Sequence, residues 1–279
     1  MANTDDLERE SPLARARSAY TERRWTDAYT AFTEADTADP LGATDLELFA
    51  TSAYMLGKVP EMLATQERAH HAYVAEGDDL RAARAALWLA SNLASRGKIP
   101  QASGWVEASE RLLQTAPEDC VERGYLLLPR ALRHVVAGEF EDVATLSSKA
   151  ADIGRRFDDP DLTALASQTQ GRALLRLSRT AEGLRLLDEV MVSATSARMN
   201  PMVTGIVYCS VLEGCYETHA IRRAATWTRS LTDWCGDQPD LVAFTDQCFA
   251  HRSEILRLQG AWTEAAAEAK RAGEAGARF

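Results

Sequence analysis

The sequence has no long hydrophobic run. Its apolar residues occur in short amphipathic groups, and none approaches the roughly 20 consecutive apolar residues that span a bilayer. The opening stretch MANTDDLERESPLARARS is polar and acidic, so it lacks the apolar segment of a secretory signal peptide. We therefore expect a cytoplasmic protein with no membrane partner.

Clustered positive charge is also scarce. The 31 Lys and Arg residues are interleaved with 41 Asp and Glu residues, and the formal net charge is −10. A protein that binds nucleic acid needs a concentrated basic surface, because it must displace counterions from phosphates. This charge pattern predicts no direct nucleic-acid partner.

The sequence lacks the short motifs of cofactor, metal and catalytic sites. Its five cysteines include no Cys-x-x-Cys pair, which indicates reduced thiols rather than a disulfide framework or a zinc site. Glycine-rich phosphate loops, His-Glu-x-x-His and Gly-x-Ser-x-Gly are absent. The neighbours His70 and His71 would point about 100° apart on a helix, which does not suit a shared ion. We predict no cofactor and no metal site.

What the sequence does contain is a repeat of about 40 residues. Seven segments begin with a turn and continue as an amphipathic helix, and we take the third residue of each segment as its anchor. Successive anchors are separated by 34, 40, 41, 40, 40 and 42 residues. The anchors are Trp25, Val59, Ile99, Phe140, Thr180, Ala220 and Trp262.

Another helix is predicted before each anchor. These helices span roughly 10–23, 43–56, 78–96, 120–137, 160–177, 201–219 and 240–259. Asp, Asn, Thr and Pro at their starts are typical of helix N-termini. Gly57, Gly97, Gly138 and Gly260 suit the left-handed position after a helix. No segment shows the sustained alternation of a strand.

The repeat unit is therefore a pair of helices joined by a turn. One such pair cannot bury its apolar face alone, so neighbouring pairs must stack to form a continuous core. The sequence predicts an all-α fold, a right-handed α-solenoid of about seven tetratricopeptide-like helix pairs. Residues 1–279 are expected to form a single helical-repeat domain.

Several segments carry a family resemblance. They include AYTAFTEAD (28–36), LFATSAYMLG (48–57), DCVERGYLLLP (119–129), PMVTGIVYCSVLEGC (201–215) and AHRSEILRLQGAW (250–262). Together they resemble the tetratricopeptide, MalT-like region of actinobacterial LuxR-type transcriptional regulators. The resemblance implies a sensing or docking role. Those regulators end in a helix-turn-helix DNA reader, and no such reader follows the seventh repeat here, so we do not expect DNA binding.

The stretch CVERGYLLLPRALRH gives the first candidate site. On a helix, Arg123, Arg130 and His134 share a polar face, and Pro129 should kink the rod. In tetratricopeptide solenoids the first helix of each pair lines the concave groove. These residues would then form a basic site for a carboxylate, a phosphate or an acidic peptide tail. Alternatively, the arginines pair with Glu122 and with neighbouring helices.

Two further sets of residues are candidates for the groove wall. The first set lies ten residues before the last four anchors and would form a ladder, a row of polar side chains along one wall; alternatively, these are ordinary polar surface residues. The set consists of Arg130, Gln170, Ser210 and Arg252. The second set consists of aromatic residues and one amide, for which core packing is the alternative: Tyr54, Trp88, Asn92 and Tyr208.

An acid–base pair is the remaining candidate. His251 and Glu254 are three residues apart, so on a helix they could form a dyad in which the carboxylate orients the imidazole. His134 is a further weak catalytic candidate, and a structural hydrogen bond is the alternative for such a pair.

The leading functional prediction is a regulatory protein whose concave groove binds a peptide, a protein or an anionic small molecule. The alternative is an enzyme of specialised metabolism that uses the groove as a small-molecule acid–base active site. The Ala- and Glu-rich C-terminal helix could cap the array, or pack against a second copy in a homodimer.

Overall fold

The computed structural model describes residues 11–196, 198–238 and 240–277, and these contain fourteen α-helices in seven antiparallel pairs. The first helices of the pairs are α1 (Pro12–Thr21), α3 (Ala43–Met55), α5 (Asp79–Ala94), α7 (Glu122–Ala137), α9 (Pro160–Arg176), α11 (Pro201–Glu217) and α13 (Thr245–Leu258). The second helices are α2 (Trp25–Ala38), α4 (Val59–Glu76), α6 (Ile99–Leu112), α8 (Phe140–Arg156), α10 (Thr180–Ala194), α12 (Ile221–Gly236) and α14 (Trp262–Gly276). The predicted all-α tetratricopeptide-like solenoid is confirmed.

The turn inside each pair has the same backbone geometry in all seven repeats. A residue with positive φ lies two positions before every second helix: Arg23, Gly57, Gly97, Gly138, Ser178, His219 and Gly260. Glycine adopts this left-handed conformation without a steric cost, whereas Arg23, Ser178 and His219 adopt it with some steric strain. The predicted period therefore reflects one repeated turn.

Helix starts and ends follow the predicted residues closely, with two differences. Ala220 is the N-cap of α12, which begins one residue later, at Ile221. Helix α13 was expected from residue 240 and begins at Thr245, because Phe244 adopts a left-handed φ of 64° that a helix does not accommodate. Pro129 lies inside α7, which continues from Glu122 to Ala137.

The two ends of the array meet. The backbone N–H groups of Val242 and Ala243, which precede α13, donate hydrogen bonds to the carbonyl oxygen of Met55 at 2.9 and 3.1 Å. The indole Nε1 of Trp25 donates to Oε1 of Gln238 at 3.1 Å, and both side chains are buried. We call Gln238 and residues 241–244 the clasp. It joins the first two repeats to the sixth, so the solenoid closes on itself.

Phe244 is the apolar centre of the clasp. Its ring packs against Tyr54 of α3 and Trp234 of α12, with centroids 5.7 and 6.1 Å apart. Gly205 of α11 leaves room for the ring, because a Cβ at this position would overlap it. No helix in the described part of the chain is long and apolar enough to cross a membrane.

Candidate binding channel

Two adjoining cavities lie along the first helices of the repeats. We call them the polar chamber, of about 170 Å³, and the apolar chamber, of about 370 Å³. Trp88 and Tyr125 line both of them. The two chambers therefore adjoin at these two rings and differ in chemistry, and we call the pair the channel.

The polar chamber collects side chains from six consecutive repeats. Its lining comes from α1, α3, α4, α5, α7, α9 and α11, which means that the first helices of repeats one to six face a common interior. The polar and aromatic members are Tyr20, Glu47, Thr51, Gln66, Arg84, Trp88, Tyr125, Asp161 and Asn200.

The apolar chamber lies farther along the same helices. Its walls come from α5, α6, α7, α9 and α11, and its lining residues include Leu87, Ile99, Val106, Leu128, Leu132, Val136, Leu165 and Ile206. Three of these side chains are exposed: Ile99, Leu132 and Val136, by 56, 50 and 85%. Exposed apolar side chains beside one cavity indicate a surface that an apolar ligand would cover.

One cation of the polar chamber is already neutralised. The Arg84 guanidinium pairs with the buried carboxylate of Glu122, and its Nη1 lies 3.7 Å from Asp159. It also stacks 5.1 Å from the centroid of the Tyr125 ring. Arg84 therefore has little charge to offer an anionic ligand.

The two carboxylates that line the polar chamber form no ion pair with a described residue, although the charge of Arg84 favours the ionised form of both. Burial raises the pKa of Asp161 to about 6, and burial likewise raises the pKa of Glu47. Asp161 accepts one hydrogen bond, from the backbone N–H of Asn200 at 2.8 Å, and Glu47 accepts one from the Tyr73 hydroxyl at 3.0 Å. Among the described residues neither carboxylate is within 4 Å of a basic group.

Of the predicted wall residues, Trp88 lines both chambers and Asn92 supports one of them. Asn92 is buried, and its Nδ2 donates to Oε1 of Gln66 at 3.3 Å. Tyr54 and Tyr208 instead belong to the core, because Tyr54 packs on Phe244 and Tyr208 packs on Trp234. The structure thus places both side chains in the core, which is the alternative given for them.

The predicted basic site on α7 does not form. Arg123 turns back and donates to the carbonyl oxygens of the preceding loop, at 2.9 Å for Leu113 and 3.1 Å for Pro117. Arg130 pairs with Glu110 at 3.0 Å, and His134 Nδ1 lies 2.6 Å from a Glu139 oxygen. The three side chains are held by local partners; only Arg130 pairs with a neighbouring helix as the alternative proposed, and Glu122 pairs with Arg84 instead.

The ten-residue ladder was one residue out of register. Ser210 hydrogen-bonds to Gln168, and Arg252 pairs with Glu268 at 3.1 Å, while Gln170 is half-buried. Counting eleven residues back from Ile99, Phe140 and Thr180 selects residues that line the apolar chamber, namely Trp88, Pro129 and Thr169, whereas the same count from the last two anchors gives Cys209 and His251, which do not line it. One helical residue is a rotation of about 100°, which turns the intended ladder away from the channel.

The predicted acid–base dyad is not assembled. Glu254 pairs with Arg257 at 2.8 Å, whereas His251 stacks on Tyr216, with ring centroids 5.5 Å apart. Burial alone lowers the pKa of His251 to about 4, so the ring is neutral at physiological pH. The spacing was correct for one helix face, but a nearer arginine binds the carboxylate.

His134, which the sequence predicts for anion binding or catalysis, lies beside two exposed carboxylates that could hold a metal ion with it. Donor atoms of His134, Glu139 and Asp142 lie within 4.8 Å of one another near the end of α7. A direct hydrogen bond between His134 and Glu139 holds these exposed side chains together.

Sequence reasoning missed the polar chamber. Its key members are Glu47, Arg84, Asp161 and Gln66, which occupy different offsets in different repeats. The one available signal was the stripe Arg84, Trp88 and Ser91, which follows the i, i+4, i+7 spacing of one helix face.

No protein-family model matches the chain, and no curated protein matches it by sequence. Solved structures do match by shape. The Rap conjugation gene regulator of the plasmid pLS20, in complex with the Phr* peptide, matches with a TM-score of 0.66 and 13% identity, over 100% of this chain and 79% of its own.

Two further Rap structures give similar matches. The apo form of RapI has a TM-score of 0.59 and 12% identity, over 96% of this chain and 97% of its own. A Rap protein complexed with competence and sporulation factor has a TM-score of 0.60 and 11% identity, over 100% of this chain and 89% of its own. At such identities the likeness concerns the fold. None of these three is a LuxR-type regulator, and that part of the sequence resemblance stays a prediction. In fold, the chain is a tetratricopeptide-like helical-repeat protein that resembles the Rap regulators.

Proposed function

We propose that this protein binds a short, partly apolar peptide in the channel, and that binding has a regulatory effect. The observation that carries the proposal is the joining of an apolar chamber to a polar chamber through Trp88 and Tyr125. A peptide combines apolar side chains with a polar backbone, so one extended segment could occupy both ends.

The apolar chamber supplies the driving force for binding. Covering apolar surface is worth about 25 cal/mol per Å², and Ile99, Leu132 and Val136 expose such surface at the chamber. The charge of the channel also bears on the ligand. Because Arg84 is neutralised and two carboxylates are not, the channel favours a neutral or cationic ligand over the anion predicted from α7.

The Rap relatives support a peptide as the ligand. Two of the structures that match this fold are described with a bound partner, the Phr* peptide and competence and sporulation factor. The proposal keeps the predicted cytoplasmic setting and the single domain over residues 1–279. It also keeps association through the C-terminal helix, where Trp262 is 65% exposed at the start of α14.

The proposal can be tested with a fluorescent probe and a peptide pool. The neutral fluorophore N-phenyl-1-naphthylamine should bind in the apolar chamber, and members of a random pentapeptide pool should displace it. Leu132→Ser should weaken fluorophore binding about tenfold, because it puts a hydroxyl into an apolar wall. Val192→Ser is the matched control, since Val192 is 66% exposed on α10 and lies outside both chambers.

Equal binding by the wild type, the Leu132→Ser variant and the control would place the fluorophore elsewhere. Failure of every pentapeptide fraction to displace the fluorophore would exclude a peptide ligand of the channel. Either result would contradict the proposal.

A further inference from the structure

We infer that the polar chamber is an ammonium site, which takes the free amino terminus of the bound peptide. The inference rests on the proposed function and assigns an orientation to its ligand. The groups that carry it are the carboxylates of Glu47 and Asp161, the aromatic walls and the amide of Gln66.

The two carboxylates supply the charge. Glu47 on α3 and Asp161 on α9 face one cavity from different repeats, and each accepts a single hydrogen bond from the protein. An ionised carboxylate has about four acceptor positions, so both keep free lone pairs. An ammonium group carries three donors and a compact positive charge, which matches this set.

The walls of the chamber also suit a cation. Tyr20, Trp88 and Tyr125 line it from three different first helices. The face of an aromatic ring attracts a cation, and the attraction is stronger where water is excluded. Arg84 already lies over the Tyr125 ring, which is the same contact made within the protein. Trp88 contacts Tyr125, with ring centroids 6.4 Å apart, and Tyr20 contacts Trp25 at 5.6 Å, so the aromatic wall is held in place by its own packing.

Gln66 provides an independent indication of a ligand. Its side chain is only 8% exposed, and its Oε1 accepts a hydrogen bond from Asn92. The amide nitrogen Nε2 donates to no group in the described residues, and Gln66 lines the chamber. Its N–H donors are therefore available to an acceptor on a ligand in the chamber.

The amino terminus of a peptide offers both a cation for the two carboxylates and, next to it, a carbonyl acceptor for Gln66. Its ammonium group would bind between Glu47 and Asp161, and the carbonyl oxygen of the same residue would accept from Gln66. The chain then continues past Trp88 into the apolar chamber. A chamber of about 170 Å³ has room for one terminal backbone unit but not for a long side chain as well.

The test uses two matched pairs of probes and isothermal titration calorimetry. The first pair is n-octylammonium and n-octanol, which share an apolar tail and differ in charge. The second pair is trileucine amide and its N-acetylated form. We expect each free amine to bind about tenfold more tightly than its neutral counterpart, because charge-assisted hydrogen bonds to carboxylates form only with the amine.

Variants locate the effect. Glu47→Gln and Asp161→Asn should each reduce the preference for the amine about threefold to tenfold and leave octanol binding unchanged, since both keep the size of the side chain. Glu264→Gln on the exposed surface of α14 is the control and should keep the full preference.

The outcomes separate the two proposals. Equal affinity for octylammonium and octanol, or an unchanged preference in both chamber variants, would overturn the ammonium site while the proposed function stands. Equal affinity for the two peptides would overturn the assignment to the amino terminus. Binding of none of the four probes at millimolar concentration would overturn the proposed function itself.

Discussion

At the polar end of the channel, Asp161 keeps a carboxylate largely out of water, and burial raises its pKa to about 6. The unfolded value is near 3.9, so the folded state prefers the neutral form and the charged form costs free energy. That cost is present in full above pH 6 and disappears as the pH falls toward 4. A residue kept at a cost to stability is typical of a functional site.

Asp161→Asn should therefore stabilise the protein at neutral pH. We expect a gain of about 2 kcal/mol at pH 7.5, because the amide removes the buried charge and still accepts from Asn200. The gain should shrink as the pH is lowered to 4.5. Urea unfolding at both pH values measures it, and a variant less stable than wild type at pH 7.5 would contradict the prediction.

His251 should make stability depend on pH in the opposite direction. Its folded pKa of about 4 lies below the unfolded value near 6.5, so the unfolded state binds more protons between these values. Stability contributed by the neutral ring is complete above pH 6.5 and is lost as the pH falls toward 4. Between pH 7 and pH 5 the wild type should lose about 2 kcal/mol of its free energy of unfolding through His251. His251→Phe, which keeps a ring beside Tyr216, should remove that part of the pH dependence. An unchanged pH dependence in urea unfolding would count against this assignment.

At the scale of the element, the clasp depends on a close approach between Phe244 and α11. An alanine at position 205 would place its Cβ against the Phe244 ring, so ring and helix would have to separate. Alanine normally stabilises a helix by about 1 kcal/mol relative to glycine. The steric effect and the propensity effect therefore predict opposite signs.

We expect Gly205→Ala to destabilise the protein by about 2 kcal/mol, because overpacking outweighs propensity. Gly104→Ala is the matched control: Gly104 also lies inside a helix, and nothing lies near its added Cβ. The control should gain about 0.5–1 kcal/mol. Thermal unfolding of the two variants measures both effects, and a gain at position 205 would show that Phe244 does not fill that space.

At the scale of the whole molecule, the clasp changes how an array of repeats unfolds. In an open solenoid each repeat contacts only its neighbours, so ends can unfold separately. Here the first two repeats also contact the clasp after the sixth repeat. Met55 accepts hydrogen bonds from residues 242 and 243, and Trp25 donates one to Gln238. Unfolding one end must break contacts at the other, which favours a single transition.

Phe244→Ala tests this cooperativity. Truncating a buried Phe costs about 3–5 kcal/mol, and the lost contacts lie between distant repeats. We expect the single urea transition of the wild type, seen alike by tryptophan fluorescence and circular dichroism, to separate into two. Phe157→Ala, at a half-exposed ring that ends α8, should keep one transition. Two transitions already present in the wild type would contradict the role given to the clasp.

Local sequence patterns are sufficient to specify the helices and turns of this protein. Anchors about 40 residues apart predict the seven helix pairs. A residue with positive φ lies two positions before each second helix, because short-range steric interactions determine the conformation of this turn. The same local reasoning failed for the groove. Arg123, Arg130 and His134 share a helix face as predicted, yet acidic side chains and loop carbonyls that come close only after folding hold all three.

Tertiary structure alone decided the channel and the clasp. Glu47, Arg84 and Asp161 come from three repeats and lie at different distances from the anchors of those repeats. The repeat period therefore does not predict that they share a cavity. Trp25 and Gln238 are 213 positions apart along the chain. Curvature accumulates from small rotations at every repeat, and where such a superhelix meets itself depends on the packing of all of them. That closure creates the interior on which the proposed function rests.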